Sequence, residues 1–396
     1  MDRNLEKPGV EKAQASTRRK SPNDSNHQAI NVEEIERKYK QYPLVRGLLI
    51  HERKRNQAFN EDGKKQILYP QSNVSWFRTI FVFEGRALDR FIVPWVLVTL
   101  NAIVWTVIAE KVIPESRETE IGSYENYFAL VLNSSLAFLL VFRLNRAGER
   151  FWQARQAWGN IVAFSRTMTS GLLIHGNHDP SNRDDAIRWI AVFSLMTMHY
   201  MRGVPVHDAP PDLLKGVIGY DELSELESIA HPPVHAGDRI RWHLMQLFQV
   251  DNNISTGEAH ARVQQLATME QQLNNLILNM GALERIRATP LPMVYVTHLR
   301  TFLLVFLLAL PYIWGGNLGY SVIPIVFGTA FALLGLDGAA QEVEAPFRKD
   351  RTNHLNMDAF CMQVISNITQ QATSQADREI WAEKVSPDSS NGGLSR

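Results

Sequence analysis

The chain has 396 residues, and its 41 lysines and arginines equal its 41 aspartates and glutamates in number. A neutral balance gives no indication of a nucleic-acid partner, since nucleic acids attract strongly basic proteins. The single cysteine, Cys361, excludes an intrachain disulfide framework and a cysteine-rich metal site, and its apolar surroundings predict a buried thiol.

The two ends of the chain are rich in polar and charged residues. We predict disordered tails over residues 1–38 and 385–396, because such segments bury too little apolar surface to fold. Acidic residues early in the first tail, such as Asp2 and Glu6, argue against a cleaved targeting sequence. One folded domain is therefore expected over residues 39–384.

Three long runs between the tails contain no charged residue. They occupy residues 91–109, 126–142 and 301–336, with lengths of 19, 17 and 36 residues. About 20 helical residues cross a bilayer core, so the third run is long enough for two helices, which we expect to meet at a hinge over residues 315–317. The competing interpretation, that the hinged pair forms the core of a soluble protein, is disfavoured by the other two runs. The sequence therefore predicts four transmembrane helices, near 91–109, 126–142, 300–314 and 319–337.

The distribution of basic residues predicts the orientation of these helices. Arginines and lysines precede the first span, lie between the second and third, and follow the fourth, whereas residues 110–125 carry two basic and five acidic side chains. Basic flanks collect in the cytosol, so we expect both termini there. Residues 143–299 would then form a cytosolic body, whose apolar side chains recur at helical spacing. Within it, the apolar run 189–201 is too short to span and predicts a buried helix.

A distinctive segment begins where the second predicted span ends. FRLNRAGERFWQARQAWG, residues 142–159, follows the apolar run without a proline and interleaves arginines with aromatic residues. We therefore expect the second transmembrane helix to continue beyond the bilayer.

This segment resembles the Phe-Arg-x-Asn-x-Ala-Tyr-Asp-Arg-Trp-Trp-x-x-Arg-x-x-Trp-Gly signature of the bestrophin family of ion channels, although Gly148, Glu149 and Phe151 replace its Tyr, Asp and first Trp. WIAVFSLMTMHYMRG, GALERIRATPLPMVYVTHLRTFLLVFLLALPY and LLGLDGAAQEVEAPF resemble further family motifs, in the family's order. The residues that carry the resemblance are Arg143, Asn145, Arg146, Arg150, Trp152, Arg155, Trp158, Pro290, Pro292, Glu344, Pro346 and Phe347.

The resemblance implies an all-α integral membrane protein with four transmembrane helices and a large cytosolic helical body, assembled as a homopentameric ring. In this family the second span lines one axial pore, which assigns Ser134, Phe138 and Phe142 to a hydrophobic pore neck. These residues are spaced i, i+4 and i+8 and share one helix face, and rings of apolar side chains gate by dewetting. Without the resemblance, the two phenylalanines would more simply be lipid-facing or core residues.

Alignment of Gly281 and Pro292 with the family implies a second, lower constriction at Val263 and Gln264. In animal members an acidic cluster after the last span helps to bind calcium. Residues 346–358 are instead basic and mixed here, so we predict no calcium site of that form.

Two further motifs call for structural rather than chemical interpretations. HPPVH, residues 231–235, has histidine spacing found in metal sites, but its prolines favour a plain loop. Glu342 and Glu344 border the last span, where acids need partners, and we expect them to pair with arginines of residues 143–155. We therefore predict no metal site, no cofactor and no catalytic site.

These patterns together predict a passive channel for monovalent anions such as chloride, with the lipid bilayer and further copies of the chain as partners. A cation-conducting channel of the same family remains an alternative, because an uncharged neck does not fix the sign of the ion. A membrane scaffold or enzyme that uses the cytosolic body is the alternative from another class.

Overall fold

The computed structural model describes residues 32–61, 87–112, 118–206, 217–250, 254–348 and 354–385. Every element of regular secondary structure in these ranges is helical. The helices are α1 (Val32–Lys38), α2 (Pro43–Glu61), α3 (Leu88–Val112), α4 (Glu118–His175), α5 (Pro180–Arg202), α6 (Tyr220–Ser228), α7 (Pro232–Leu247), α8 (Thr256–Ala288), α9 (Met293–Leu318), α10 (Val322–Glu344) and α11 (Met357–Val385).

The segment expected to be an N-terminal tail contains a helix. α1 occupies Val32–Lys38, and its Ile35 packs with Tyr39 and Val45 in a small apolar cluster. The predicted tail is therefore wrong for these seven residues. The rest of that segment, 1–31, and residues 386–396 lie outside the described residues.

The longest element is α4, which continues for 58 residues from Glu118 to His175. At 1.5 Å per residue this helix is about 87 Å long, nearly three times the thickness of a bilayer core. It includes the whole of residues 142–159, so the prediction that the helix containing residues 126–142 continues without a break through this segment is confirmed. Side chains are described from Leu132 onward.

Three helices have the length and composition of membrane spans. They cover Leu88–Lys111, Met293–Trp314 and Gly319–Glu344 and correspond to the first, third and fourth predicted spans. Their outer faces expose apolar side chains; Val93, for example, is 66% exposed and Val305 is 58% exposed. Such faces are stable in lipid and costly in water. The chain is an integral membrane protein, and the second predicted span, 126–142, lies within α4.

The turn between α9 and α10 lies beyond the predicted hinge. Residues 315–317 are still helical, and the chain turns in a 3₁₀ segment at Gly319–Ser321. Gly319 has φ of +49°, and a Cβ there would lie 2.8 Å from the Glu110 carboxylate, so glycine is required. The predicted hinge is therefore wrong by a few residues, because helical hydrogen bonds continue through two glycines that have no need to turn.

The helical body outside the candidate spans is built around α5. Residues 191–199 of this helix are all buried, which confirms the predicted buried helix at 189–201. The Asp179 carboxylate accepts the Asn182 N–H at its N-terminus, and Gly203, with φ of +68°, ends it. α7, α4 and α11 pack around α5 and complete a core separate from that of the membrane helices.

The HPPVH motif begins a helix, and our prediction of a plain loop was wrong. His231 is the N-cap of α7 and Pro232 is its first residue. Proline is tolerated in the first turn, where no helical N–H bond is lost. The two imidazoles have different carboxylate partners: His231 Nε2 lies 2.6 Å from Glu284 Oε1, and His235 Nε2 lies 3.3 Å from Glu225 Oε1.

Candidate pore-lining face

One side of α4 packs on the membrane helices, and the opposite side is exposed. Leu136 and Leu140 are buried among residues of α3, α9 and α10. Ser134, Phe138 and Phe142 lie on the other side, and Phe138 is 70% and Phe142 41% exposed. Large apolar side chains on this face of one chain require a covering surface or an apolar environment.

The ring of Phe142 is held in place at the inner end of this face. It meets the Tyr295 ring edge-on, with centroids 5.9 Å apart, and the Tyr295 hydroxyl donates to the Leu139 carbonyl at 2.9 Å. The Arg146 guanidinium lies 5.2 Å from the same ring, a cation–π distance. Arg146 also pairs with Glu149 at 2.9 Å, so positive charge next to this ring is largely balanced.

Arg143 faces away from the exposed side and is only 1% exposed. Its Nη1 donates to Asp337, whose other oxygen accepts the Arg300 Nε–H at 3.0 Å. The predicted partner Glu344 is more distant, at 3.9 Å. Two arginines and two carboxylates therefore balance at the junction of α4, α9 and α10. Sequence reasoning missed Asp337, although an acid inside the motif LLGLDG, at the end of an apolar run, was a usable signal.

Arg150 caps the C-terminal end of α8, where its partners are backbone carbonyls. Its guanidinium donates to the carbonyls of Thr289, Ile286 and Glu344. These include carbonyls left free where a helix ends, which a cation stabilises. Desolvation lowers the pKa of Arg150, against the opposing effect of the Glu344 charge, but a guanidinium stays protonated.

Glu342 has other partners than those predicted from the sequence. Its Oε1 accepts the Arg90 Nε–H at 3.2 Å, and its Oε2 lies 3.3 Å from His354 Nε2. The expected pairing of Glu342 with arginines of residues 143–155 is therefore wrong. Arg90 begins the first span, so this cluster joins α3 to the end of α10.

The other signature residues divide into buried and exposed groups. Trp158 is fully buried and stacks on Phe360, with the Arg155 guanidinium 4.6 Å from the same ring. Pro292 accepts the Tyr295 N–H at the start of α9, which follows the exposed Pro290. Pro346 and Phe347 are buried after α10, whereas Asn145 and Trp152 are exposed on α4.

Val263 and Gln264 lie near the start of α8, and both are exposed. The neighbouring Gln265 amide lies 3.2 Å from the ring of His175, the last residue of α4. The 33 residues from Phe142 to His175 correspond to about 50 Å of helix. The two sequence-predicted constrictions are therefore near opposite ends of the extramembrane part of α4.

Within the part of the chain that the structure describes, no group of three or more His, Cys, Asp or Glu side chains is placed to hold a metal ion. Cys361 is completely buried, and burial raises the pKa of its thiol.

The chain matches a known protein family in sequence and a solved structure in fold. A family model described as bacterial and fungal bestrophin protein matches residues 66–370. A crystal structure of a bacterial bestrophin homologue from Klebsiella pneumoniae has a similar fold, with a TM-score of 0.60 and 22% identity over 72% of this chain and 98% of that one.

The chain is also similar to curated proteins named as channels. A voltage-dependent anion channel-forming protein of Nostoc is 29% identical over 74% of this chain and 90% of its own length. The chloroplastic voltage-dependent chloride channel 2 of Arabidopsis thaliana is 30% identical over 59% of this chain and 53% of its own length. The anion channel-forming protein YneE of Escherichia coli is 24% identical over 81% of this chain and 98% of its own.

Proposed function

Since the chain belongs to the bacterial and fungal bestrophin family, we propose that it forms a passive channel for monovalent anions such as chloride. The observation that carries this proposal is the exposed face of α4, where Ser134, Phe138 and Phe142 follow one another at helical spacing. In a homopentameric ring, five such faces surround an axis and form a hydrophobic neck. The names of the relatives support the choice of anions.

The neck would regulate conduction through hydration of the ion. Rings of phenylalanine offer no hydrogen bonds to a passing ion's water shell, so a narrow ring favours the dewetted, closed state. The positive edge of an aromatic ring attracts an anion without a fixed charge. Ser134 adds hydroxyl groups at the outer end, where the pore would be wetter.

A cation channel is the second candidate, because the described side chains next to the neck include no unbalanced charge. Arg146, whose guanidinium lies 5.2 Å from the Phe142 ring, lies 2.9 Å from Glu149 on the same helix. Selectivity for anions would therefore depend on the neck and on charges deeper in the cytosolic body.

Reversal potentials of the purified protein in planar bilayers, under separate chloride and sodium gradients, test the proposal. We expect the potential to follow chloride, and a potential that follows sodium would establish the cation alternative. Phe138→Ala and Phe142→Ala should each raise the conductance severalfold, because a smaller side chain wets the neck. Leu100→Ala, which shortens an exposed residue of α3, is the control and should leave conductance unchanged.

We propose separately that Val263 and Gln264 form a second, lower constriction of the pore. Its support is the position of both exposed residues beside the end of α4. Gln264→Ala should alter the chloride-to-nitrate permeability ratio while Phe142→Ala mainly alters conductance. Unchanged permeability ratios would remove Gln264 from the pore.

A further inference from the structure

A polar groove lies between the last part of α4 and the C-terminal helix α11. The cavity has a volume of about 600 Å³, and its polar lining residues include Arg166, Ser170, Asn367, Gln371, Ser374 and Arg378.

The two helices run in the same direction beside the groove, since Trp158 stacks on Phe360 and the Gln371 amide donates to the Arg166 carbonyl at 3.2 Å.

The groove is positively charged. None of the described residues that line it carries a carboxylate, and two of them are arginines, one from each helix. The Arg166 guanidinium has no ion pair with any residue that the structure describes. Within the described part of the chain, Arg378 donates to the Gln375 side-chain oxygen alone, at 2.9 Å, and the Gln375 amide donates to the Glu379 carboxylate at 2.8 Å. Glu379 is therefore linked to Arg378 through the Gln375 side chain.

Two enclosed amide atoms in the groove lack partners. Asn367 Nδ2, a donor, and Gln371 Oε1, an acceptor, are shielded from solvent and make no hydrogen bond in the described part of the chain. Enclosed polar atoms without partners are uncommon because their desolvation is not compensated. A ligand that both accepts and donates hydrogen bonds would satisfy both atoms.

We propose that the α4–α11 groove binds a soluble phosphate-type anion. Hydrogen phosphate has oxygens that accept from Arg166, Arg378 and Asn367, and one P–O–H group that can donate to Gln371. Chloride has no donor, and sulfate is fully deprotonated at neutral pH, so neither satisfies Gln371. Guanidinium groups bind such oxyanions through charge-assisted, paired hydrogen bonds.

The position of the groove favours a free anion over a lipid headgroup. Arg166 is 24 residues beyond Phe142, or about 36 Å along the helix. If Phe142 lies at the inner edge of the membrane, phospholipid headgroups do not extend this far. A bound phosphate would join the cytosolic end of α4 to α11.

Thermal unfolding of the full-length protein in detergent, at constant ionic strength and near neutral pH, tests this site. Sodium phosphate should raise the unfolding midpoint with saturation, whereas sodium sulfate should act more weakly and sodium chloride without saturation. Arg166→Gln and Arg378→Gln should each weaken the apparent phosphate affinity by about tenfold, and Asn367→Asp by more, because it adds a repelling carboxylate.

Arg241→Gln is the matched control, since Arg241 pairs with Glu270 between α7 and α8, away from the groove. It should keep the phosphate response of the unmodified protein. Equal responses to all three salts, or unchanged affinity in both groove variants, would overturn the proposal. A response only to micelles containing phosphatidic acid would overturn the soluble source, and a change of assembly mass in the variants without phosphate would assign the groove to subunit contact.

Discussion

At the foot of the candidate neck, Arg143 and Asp337 form an ion pair with almost no access to solvent. Removal of one partner of such a pair leaves the other charge buried and uncompensated. We predict that Arg143→Gln lowers the free energy of unfolding by about 3 kcal/mol. Arg146→Gln, three residues on, breaks the exposed pair with Glu149 and should cost less than about 1 kcal/mol.

Chemical unfolding of both variants in the same detergent provides the measurement. A double variant, Arg143→Met with Asp337→Leu, should recover much of the lost stability, because it removes both buried charges together. Equal losses for Arg143→Gln and Arg146→Gln would show that burial of the first pair has no energetic importance.

His243 predicts a pH dependence of stability. Burial lowers its pKa from the ordinary 6.5, and its Nδ1 lies 3.0 Å from the Asn182 side-chain oxygen. The charges of Arg188 and Arg239 lower the pKa further, while Asp185 and Glu222 oppose them. The unfolded chain therefore binds a proton that the folded chain resists, so stability is full above pH 6.5 and decreases as the pH falls below it.

We expect His243→Gln to reduce the loss of stability between about pH 8 and about pH 5, measured as the shift of the unfolding midpoint. His260→Gln, at an exposed position of α8, should retain the pH dependence of the unmodified protein. The same slope in all three proteins would contradict the assignment to His243.

At the scale of single helices, the start of α5 depends on one carboxylate. The hydrogen bonds from Asn182 lower the pKa of Asp179 below 3.8, against a smaller effect of desolvation. Asp179→Ala should lower the unfolding free energy by about 1 kcal/mol at neutral pH. A depressed carboxyl pKa contributes above its unfolded value and is lost in acid, so the two proteins should converge as the pH falls below 3.8.

Asp179→Asn is the control, because an asparagine N-cap accepts the same bond without titrating. It should be nearly as stable as the unmodified protein at neutral pH. Convergence in acid that also occurs for the asparagine variant would mean that another group is responsible.

Helices with a clear apolar pattern were predictable from sequence, whereas their ends and side-chain partners were less so. Charge-free runs identified α3, α9 and α10 because lipid-facing helices must be apolar on nearly every side. The hinge was misplaced because residues 315–317 have turn propensity but remain helical, and the close approach of Glu110 to Gly319 is tertiary information. Asp337 likewise acquires its importance only when α10 is packed against Arg143.

For the whole molecule, the proposed orientation can be tested through the single cysteine. Cys361 is buried and burial raises its thiol pKa, so it should resist modification in the folded protein. Ser116→Cys, between α3 and α4, should react with a membrane-impermeant maleimide added to intact cells. Ser224→Cys, exposed on α6, should react only after the cells are opened.

The reverse labelling pattern would contradict the cytosolic placement of the body. The unmodified protein, which carries only Cys361, provides the background in both conditions. The number of subunits requires a mass measurement in detergent, because one chain exposes the α4 face without its neighbours. A mass other than that of five chains would contradict the proposed ring.

The unbroken length of α4 has a mechanical consequence. A stiff rod that extends about 50 Å past Phe142 acts as a lever, in which a rotation of about 1° at the membrane end moves the far end by roughly 0.9 Å. Small displacements of the helices that surround His175 are therefore geometrically linked to the orientation of the phenylalanines at the other end. Distant parts of the helical body could thus change the width of the proposed neck without any change in the side chains that line it.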